Sequence, residues 1–469
     1  MIQKNLLKIE IIIIFFSVIL SFFFAVSDLK RYDKIKINFD NNSYNQLLYE
    51  DLGYTWQIAD KFRKKLKSGK NFIESLPNYQ HYFLPSIIVG YYYYLIDKDI
   101  FVEQLNNRDV IKVKNSKLPL LIFQIIIYYL SVFIFSTELK KKVKLPIYLS
   151  IFIFLTLEPS IFQWHHSFWS ESIFLSLMLI IFYMLLKVKK EIFFNLLLGI
   201  LISTLYLQRS VSFLYIIPVL IYLSLIFKTN IKPLLFTIFG SFLIFFLIGF
   251  NNFKKTDRFY ILSLEHQYYS YYHYFAGYIK ADRKNIEISK AEEELQIAES
   301  NWMTANKIDL DHAEDYLKAI DFRNKSFLNE VIQNPLFTIK FFTKKVIMMC
   351  IIHPTWVEQS YKTDKSDPEA RNNPKKYYHK NLKRNILYSI FLYFFILIGF
   401  ISWIKNILKY KSLDNFDKFI IFNILSILYF VLISGFWGNP KYFTPCTLSL
   451  SLFFGYGINV ILQKFKIVK

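Results

Sequence analysis

The stretch LPLLIFQIIIYYLSVFIFSTELKKKVKLPIYLSIFIFLTL, residues 118–157, decides the fold class. An apolar run from Leu118 to Phe135 leads into a lysine cluster, and a second apolar run follows. A helix needs about 20 apolar residues to cross about 30 Å of hydrocarbon. Because backbone groups find no water partner in lipid, such runs must form helices. The stretch therefore predicts a helical hairpin in a membrane, with a lysine-rich turn on one side.

The rest of the chain repeats this alternation. It has 469 residues, of which 54% are hydrophobic, and its longer apolar runs exclude a soluble multidomain protein. Starting from an N-terminus inside the cell, we predict spans over residues 9–27, 118–136, 145–158, 171–187, 191–207, 211–227, 233–250, 385–404, 418–436 and 446–463. The sequence thus predicts an all-α membrane fold, a polytopic bundle of about ten transmembrane helices.

Short lysine-rich turns set the orientation, because such turns stay in the cytoplasm. They comprise Lys140–Lys144, Lys187–Lys190, Lys228–Lys232, Lys405–Lys411 and Lys464–Lys469. Residues 28–117 and 251–384 then form two large extracytoplasmic segments. Within them, Phe83–Ile96 is short for a span and Leu336–Pro354 is interrupted by lysines, so both are expected to be interfacial helices. We expect three units: an N-terminal membrane module with catalytic loops (1–250), an extracytoplasmic segment (251–384) and the C-terminal helices (385–469).

Charge and cysteine content exclude other classes. The formal net charge is +21, but much of the excess lies in the short cytoplasmic turns and in one long outer loop, which does not favour nucleic-acid binding. Cys350 and Cys446 are far apart, so a structural disulfide is not expected and no metal-ligand spacing is present.

Residues suited to chemistry lie in the loops of the other side. Glu50-Asp51 is an acid pair that can supply a general base, and the alternative is a solvated helix N-terminus where acids help by capping and dipole effects. Glu171 opens a span, and a carboxylate at that position is either a helix N-terminal acid or a site residue. Arg209 lies in a very short hairpin, where it either binds a phosphate or anchors the helix at the interface. Similar arguments apply to Lys441 and Tyr442.

Two histidines precede the span that Glu171 opens. His165 and His166 are adjacent and point in different directions on a helix, so interfacial polar residues are the ordinary interpretation. A phosphate-cradling glycine-rich loop, a GxSxG sequence and an HExxH sequence are all absent from the chain. Nucleotide-dependent chemistry on a Rossmann domain is therefore not supported.

The order of these features resembles the GT-C superfamily of integral-membrane glycosyltransferases, which includes protein O-mannosyltransferases and bacterial lipid A sugar transferases. The resemblance spans nearly the whole chain and is carried by four places: Glu50-Asp51-Leu52-Gly53-Tyr54 with Ala59 and Gly69, Tyr82-Phe83-Leu84-Pro85, Glu158-Pro159-Ser160 through Ser170-Glu171, and Gly438-Asn439-Pro440-Lys441-Tyr442 with Pro445. Each motif alone is weak. The chain departs from the family in placing Glu50 before Asp51, and in having Asn439 and Lys441 where Asp and Arg are usual.

The resemblance implies transfer of a sugar from a polyprenyl-phosphate donor to an extracytoplasmic glycan, lipid or protein, with inversion. In that scheme Asp51 or Glu50 is the base, and Glu171 orients the acceptor or helps to hold a divalent cation. Arg209 and Lys441 stabilise the departing phosphate. The substrate-binding candidates are Tyr54, His166, Arg209, Lys441 and Tyr442.

Two alternatives remain open from the sequence. A polysaccharide polymerase or ligase of another multispan family also uses outer loops and a lipid-linked donor. A transporter of lipid-linked sugars predicts charges within spans and an internal repeat, whereas the span interiors here are nearly free of charge. The abundance of Ile, Lys, Asn, Phe and Tyr indicates an AT-rich microbial genome, which favours a bacterial plasma membrane.

Overall fold

The computed structural model describes residues 2–34, 46–77, 83–98, 101–105, 108–112, 117–165, 170–256, 259, 271–309, 313–351, 374–410, 412–437 and 440–467. The first helices are α1 (Ile2–Lys34), α2 (Gln46–Lys67), α3 (Phe72–Ser75) and α4 (Phe83–Leu95). Strands β1 (Phe101–Leu105) and β2 (Arg108–Lys112) follow. The remaining helices are α5 (Lys117–Leu139), α6 (Leu145–Leu157), α7 (Pro159–Phe162), α8 (Ser170–Leu186), α9 (Ile192–Gln208), α10 (Ile216–Phe227), α11 (Lys232–Thr256), α12 (Gly277–Lys284), α13 (Ile288–Ala305), α14 (Ala313–Gln333), α15 (Pro335–Ile351), α16 (Pro374–Tyr410), α17 (Asn415–Ser434) and α18 (Thr444–Lys464).

Eight helical segments in the described part of the chain are long and apolar enough to cross a membrane. They are Leu6–Val26, Leu118–Leu139, Leu145–His165, Ser210–Phe227, Lys232–Lys254, Asn385–Tyr410, Asn415–Ser434 and Thr444–Lys464. Helices α8 and α9 are apolar as well but have 17 residues each. The prediction of a helical, multi-pass membrane protein is confirmed at this level, with eight full-length candidates rather than about ten.

Some local structure differs from the prediction. Strands β1 and β2 form an antiparallel ribbon that pairs Phe101 with Lys112, and the sequence analysis predicted no strand there. Residues 159–165 were expected in an outer loop, but they form α7 and a 3-10 turn. In that segment Trp164 and His165 are buried. The predicted loop was wrong because Pro159 ends one helix and starts another. The proline interrupts the apolar run, but the residues after it stay packed in the bundle.

The short turns define two ends of the bundle. Helices joined by only a few residues must run antiparallel. Helices α5 and α6 are joined by residues 140–144, so α5 ends and α6 begins at what we call the Lys140 end. The Phe135 ring near the end of α5 lies 6.2 Å from the Phe182 ring near the end of α8, five residues before Lys187. Lys187 therefore also lies at the Lys140 end, and the start of α8 lies at the opposite end, which we call the Arg209 end.

Glycines allow close packing between some helices. A Cβ added to Gly457 of α18 would overlap the Phe395 carbonyl oxygen of α16, and one added to Gly399 would overlap the Phe453 carbonyl oxygen. Small residues at a helix–helix contact let two backbones approach, which is the main source of packing energy between helices in lipid. Helices α16 and α18 are therefore held together by a contact that no larger residue can reproduce.

Residues 271–309 and 313–351 form a helical insert between the spans α11 and α16. Its packing includes a hydrophobic cluster in which the Tyr272 hydroxyl donates to the Leu295 carbonyl at 2.8 Å. Buried Arg323 contacts Glu299 at 2.5 Å. The Phe436 ring, which follows α17, lies 5.6 Å from the ring of Phe275 and joins the same cluster. The Phe419 ring near the start of α17 lies 5.8 Å from the Phe182 ring near the end of α8, so α17 runs from the Lys140 end to the Arg209 end and the insert docks at the Arg209 end.

Candidate active site

A buried ion pair joins two residues that the sequence analysis singled out separately. The guanidinium Nη1 of Arg209 lies 3.0 Å from Oε1 of Glu171. The two side chains are only 5% and 1% exposed, so both charges are removed from water. A charge buried in this way is costly unless it is paired, and here each charge compensates the other. Of the two interpretations of Arg209, an anchor exposed at the interface does not fit this burial.

Two helix ends hold this pair in place. Glu171 lies in the first turn of α8, where the helix dipole stabilises its negative charge. Arg209 directly follows α9 in an extended conformation, and its backbone N–H still donates to the Leu205 carbonyl. The Gln208 amide donates to the Ser170 carbonyl at 2.9 Å, which ties the end of α9 to the start of α8. The backbone thus fixes the ion pair from both sides.

Aromatic rings enclose the guanidinium of Arg209. Its carbon Cζ lies 5.7 Å from the ring centroid of Phe174, one turn further along α8. It lies 5.6 Å from the ring centroid of Tyr442, which precedes α18. Arginine on aromatic faces is stabilised by cation–π attraction, more strongly where water is excluded. Three parts of the chain that were proposed for the site, around Glu171, Arg209 and Tyr442, thus meet at one point.

A second set of polar contacts ties the segment after α6 to the helices beside it. The Tyr388 hydroxyl donates to Oε2 of buried Glu158 at 2.8 Å, and the other carboxylate oxygen of Glu158 accepts from the Ser160 N–H. The Trp164 indole N–H donates to the Thr444 hydroxyl at 3.3 Å. Because Thr444 lies two residues after Tyr442, this set is connected to the Arg209 cluster through the start of α18. It adds a second buried carboxylate at the Arg209 end.

His165 is the histidine that the structure places in the protein interior. It is fully buried, and its Nδ1 lies 3.0 Å from the Ser172 hydroxyl. Its ring lies 4.5 Å from that of Tyr128. This contact links His165 to the first turn of α8, because Ser172 is the residue after Glu171. The predicted substrate-binding histidine was His166, which lies outside the described residues. The feature of the sequence that could have indicated His165 is its position seven residues before Ser172 in the first turn of α8.

The first-loop acids lie on a helix. Glu50, Asp51 and Tyr54 are all part of α2, and their side chains lie outside what the structure describes. Helix α2 packs on α4 where Gly90 meets the Ala59 backbone. Helix α4 in turn contacts α9, because Phe83 at the start of α4 packs in a hydrophobic cluster with Tyr206, three residues before Arg209.

The same helix carries a buried pair that the sequence analysis did not select. Asp60 and Arg63 are 6% and 2% exposed, and the Arg63 Nη2 donates to the Asp60 carboxylate at 2.8 Å. Their spacing of three residues on one helix face was the available signal.

The remaining sequence candidates carry less structural information. Lys441 follows Pro440 in a 3-10 turn, but its side chain, like residue Asn439, lies outside the described part of the chain. Among the described residues there is no group of three His, Cys, Asp or Glu side chains that could hold a metal ion. The predicted divalent cation therefore has no ligand set within that part of the chain.

Chemically, the cluster places a guanidinium, a group suited to binding anions, against a buried carboxylate. The guanidinium presents five donors in a planar fork that matches phosphate oxygens. In this structure Glu171 takes one side of that fork. An incoming phosphate would have to share the guanidinium with Glu171, so the carboxylate sets both the position of Arg209 and its net charge. Family models give no match to this chain, and a search of curated proteins finds no significant relative.

Proposed function

We propose that this protein is an integral-membrane glycosyltransferase of the GT-C type. It moves a sugar from a polyprenyl-phosphate donor to an acceptor glycan, lipid or protein at the extracytoplasmic face of the plasma membrane. The observation that carries the proposal is the buried Glu171–Arg209 pair beneath the Tyr442 ring. Glu171 and Tyr442 lie in two of the motifs that carry the GT-C resemblance, and Arg209 is the residue to which the resemblance gives the departing phosphate.

The charge distribution supports the location. The lysine-rich turns face the cytoplasm by the positive-inside rule, so the Arg209 end faces outwards. Helices α8 and α9, with 17 residues each, are at the lower limit for a span and complete the ten-helix arrangement. A lipid-linked donor needs no nucleotide-binding domain, because the membrane itself presents its phosphate near the helix ends. The arginine then lies at the depth where that phosphate resides.

The proposed reaction is a single displacement. Asp51, or Glu50 beside it, accepts the proton of the acceptor hydroxyl as its oxygen attacks the anomeric carbon. The bond between that carbon and the phosphate oxygen breaks, and the polyprenyl phosphate leaves with an added negative charge. Arg209 and Lys441 stabilise this charge, which is larger in the transition state than in the bound donor. Glu171 holds the Arg209 guanidinium in position and neutralises its charge when no donor is bound.

The acceptor side is assigned to the helical insert. The insert docks at the Arg209 end through Phe436, so it lies beside the loops that carry the proposed chemistry. Residues 251–384 then cover the site and select the acceptor. Tyr54 and His166 complete the substrate contacts, and any divalent cation would be held with the help of Glu171.

The test is sugar transfer in proteoliposomes from radiolabelled polyprenyl-phosphate sugars, with and without a divalent cation. Wild type is compared with Asp51→Asn, Glu50→Gln and Arg209→Lys, and the control is Glu314→Gln, a substitution at an exposed site of the insert. We expect transfer by wild type and the control, loss in one first-loop variant, and strong reduction in Arg209→Lys. Transfer that survives all three substitutions would refute the site. Movement of the intact donor across the bilayer without transfer would favour a transporter.

A further inference from the structure

One edge of the helical insert exposes a series of apolar side chains. Leu328 and Ile332 of α14 are 47% and 74% exposed, and Leu336 and Ile339 of α15 are 81% and 64% exposed. Ile347 and Ile351 continue the row at 50% and 42%. We call these six residues the apolar ridge. Leu328 and Ile332 are four residues apart on α14, and on α15 the steps of three, eight and four residues from Leu336 to Ile351 keep these side chains on one face of that helix.

This edge differs from the rest of the insert. Among the described side chains of α12 and α13, the exposed large apolar residues are Ile288 and Ile297. The opposite face of α15 is already used, because Thr338, Phe341 and Met349 are buried against the protein. The ridge is therefore a second apolar face on a helix whose first apolar face is already packed. An exposed apolar row of this length marks a surface that contacts another apolar phase.

The C-terminal end of α15 lies against the transmembrane part of the bundle. The Tyr393 hydroxyl of α16 donates to the Cys350 carbonyl in the last turn of α15. Tyr393 lies eight residues inside the candidate span Asn385–Tyr410, which corresponds to about 12 Å along the helix. On the same span Leu387, Ile390 and Phe394 are 57–67% exposed, as lipid-facing side chains are. The ridge thus continues the lipid-facing surface of α16.

The charges on α15 fit a lipid interface. The helix carries Lys340, Lys344 and Lys345 and no acidic residue. Lys340 and Lys344 are exposed beside the ridge, whereas Lys345 lies over the Tyr278 and Phe341 rings. Lysines that flank an apolar helix face place their ammonium groups among lipid phosphates while the apolar residues enter the acyl boundary.

We propose that the apolar ridge is a lipid-binding surface that anchors the helical insert to the outer boundary of the bilayer. Leu328 and Ile332 lie near the headgroups, and Ile347 and Ile351 lie deeper among the acyl chains. Lys340 and Lys344 bind lipid phosphate groups. The anchor fixes the height of the insert above the Arg209 end, and it holds whether or not the protein transfers sugars.

The experiment measures depth. Cys350 and Cys446 are replaced by alanine, and a single cysteine with a fluorescent label is placed at Leu336→Cys, Ile347→Cys or the exposed control Ser300→Cys on α13. The proteins are placed in nanodiscs that contain lipids with a quencher on the acyl chain. We expect quenching at position 347 to exceed that at 336, and both to exceed the control by at least about twofold. Quenching at 336 and 347 equal to the control would overturn the proposal.

A second measurement tests the lysines and the competing occupant. Lys340→Gln with Lys344→Gln should reduce quenching at position 336 in nanodiscs with anionic lipids, whereas Lys290→Gln with Lys307→Gln, at exposed sites of the same insert, should leave it unchanged. If unlabelled cysteines at position 336 of two chains cross-link efficiently, while lipid quenching is absent in the labelled protein, the ridge binds a second copy of the chain. That result would also overturn the proposal.

Discussion

Buried carboxylates at the two ends of the bundle have different partners. Glu171 and Glu10 are each 1% exposed. Glu171 pairs with Arg209, whose side chain is only 5% exposed, whereas Glu10 pairs with Lys140, whose side chain is 30% exposed, at 3.3 Å. Glu10 also accepts a hydrogen bond of 2.7 Å from the Tyr148 hydroxyl. One acid is thus matched to a buried cation, and the other to a phenol and a cation with access to water.

The difference separates a candidate functional site from a structural contact. The Glu10 contacts join α1 to the α5–α6 turn and to α6, and they satisfy the carboxylate within the bundle. The Glu171 contacts converge from three segments on a guanidinium that is suited to phosphate. We therefore infer that substitutions at the Lys140 end change stability with little effect on chemistry, and that substitutions at the Arg209 end change both.

The largest effect is expected for Arg209→Ala. It leaves the Glu171 carboxylate buried without its cation, which should lower the free energy of unfolding by about 3–5 kcal/mol. The measurement is SDS-titration unfolding in mixed micelles. Sugar transfer should also be lost.

The double variant Glu171→Ala with Arg209→Ala is the matched control. It removes both charges, so it should be more stable than Arg209→Ala alone by about 1 kcal/mol or more, while transfer stays absent. If the single and double variants are equally stable, the two charges are not coupled. If the double variant transfers sugar at the wild-type rate, the pair is a structural feature like Glu10.

A smaller effect is expected for Glu10→Leu. The Tyr148 hydroxyl loses its acceptor in the bundle, which should cost about 1–3 kcal/mol, while Lys140 can turn to water. Transfer per folded molecule should stay within about twofold of wild type, because the change is at the other end of the spans. The measurement compares SDS titration with transfer assays on the same preparations. A loss of transfer as severe as in Arg209→Ala would remove the distinction between the two ends.

The Tyr442 ring gives a finer test within the Arg209 end. Tyr442→Leu removes one of the two aromatic faces on the guanidinium and should cost about 0.5–2 kcal/mol of stability. Tyr442→Phe keeps the face and should cost less. If the phosphate site depends on this ring, the Michaelis constant for the donor rises more in Tyr442→Leu than in Tyr442→Phe. Equal constants in the two variants would assign the ring to packing alone.

Much of the helix order followed from apolar length and lysine-rich turns, because these patterns reflect the thickness and charge asymmetry of the bilayer. The sequence also named Glu171, Arg209 and Tyr442, each from its position at the end of a span. Their mutual contact depends on how helices far apart in the chain pack together, and no local pattern encodes that. His165 was interpreted as an interfacial polar residue because it and His166 point in different directions on a helix, and no local pattern shows which of two adjacent residues is buried. Asp60 and Arg63 were not selected, because an ion pair on a helix usually faces water.

The smallest effect concerns a carboxylate that is partly exposed to water, which extends the comparison to a third environment. Glu294 of the insert lies 3.1 Å from Lys280 and 2.7 Å from Lys284. Hydrogen bonds from Lys284 and then Lys280 lower the pKa of its carboxyl from 4.5 to about 2. Because the folded-state pKa is below the unfolded one, this stabilisation is complete above about pH 4.5 and is lost as the pH falls towards about 2.

Hydrogen exchange of residues 277–305 measures this contribution. Between about pH 5 and pH 3, protection in this segment should fall further in wild type than in Glu294→Gln, after correction for the intrinsic exchange rate. Glu293→Gln, at the exposed neighbouring position, should behave as wild type. The effect should also shrink in high salt, because exposed pairs are screened, whereas the coupling between Glu171 and Arg209 should not. An acid response that is identical in wild type and Glu294→Gln would show that another group governs the insert, and the contrast between exposed and buried carboxylates would then rest on Glu10 and Glu171 alone.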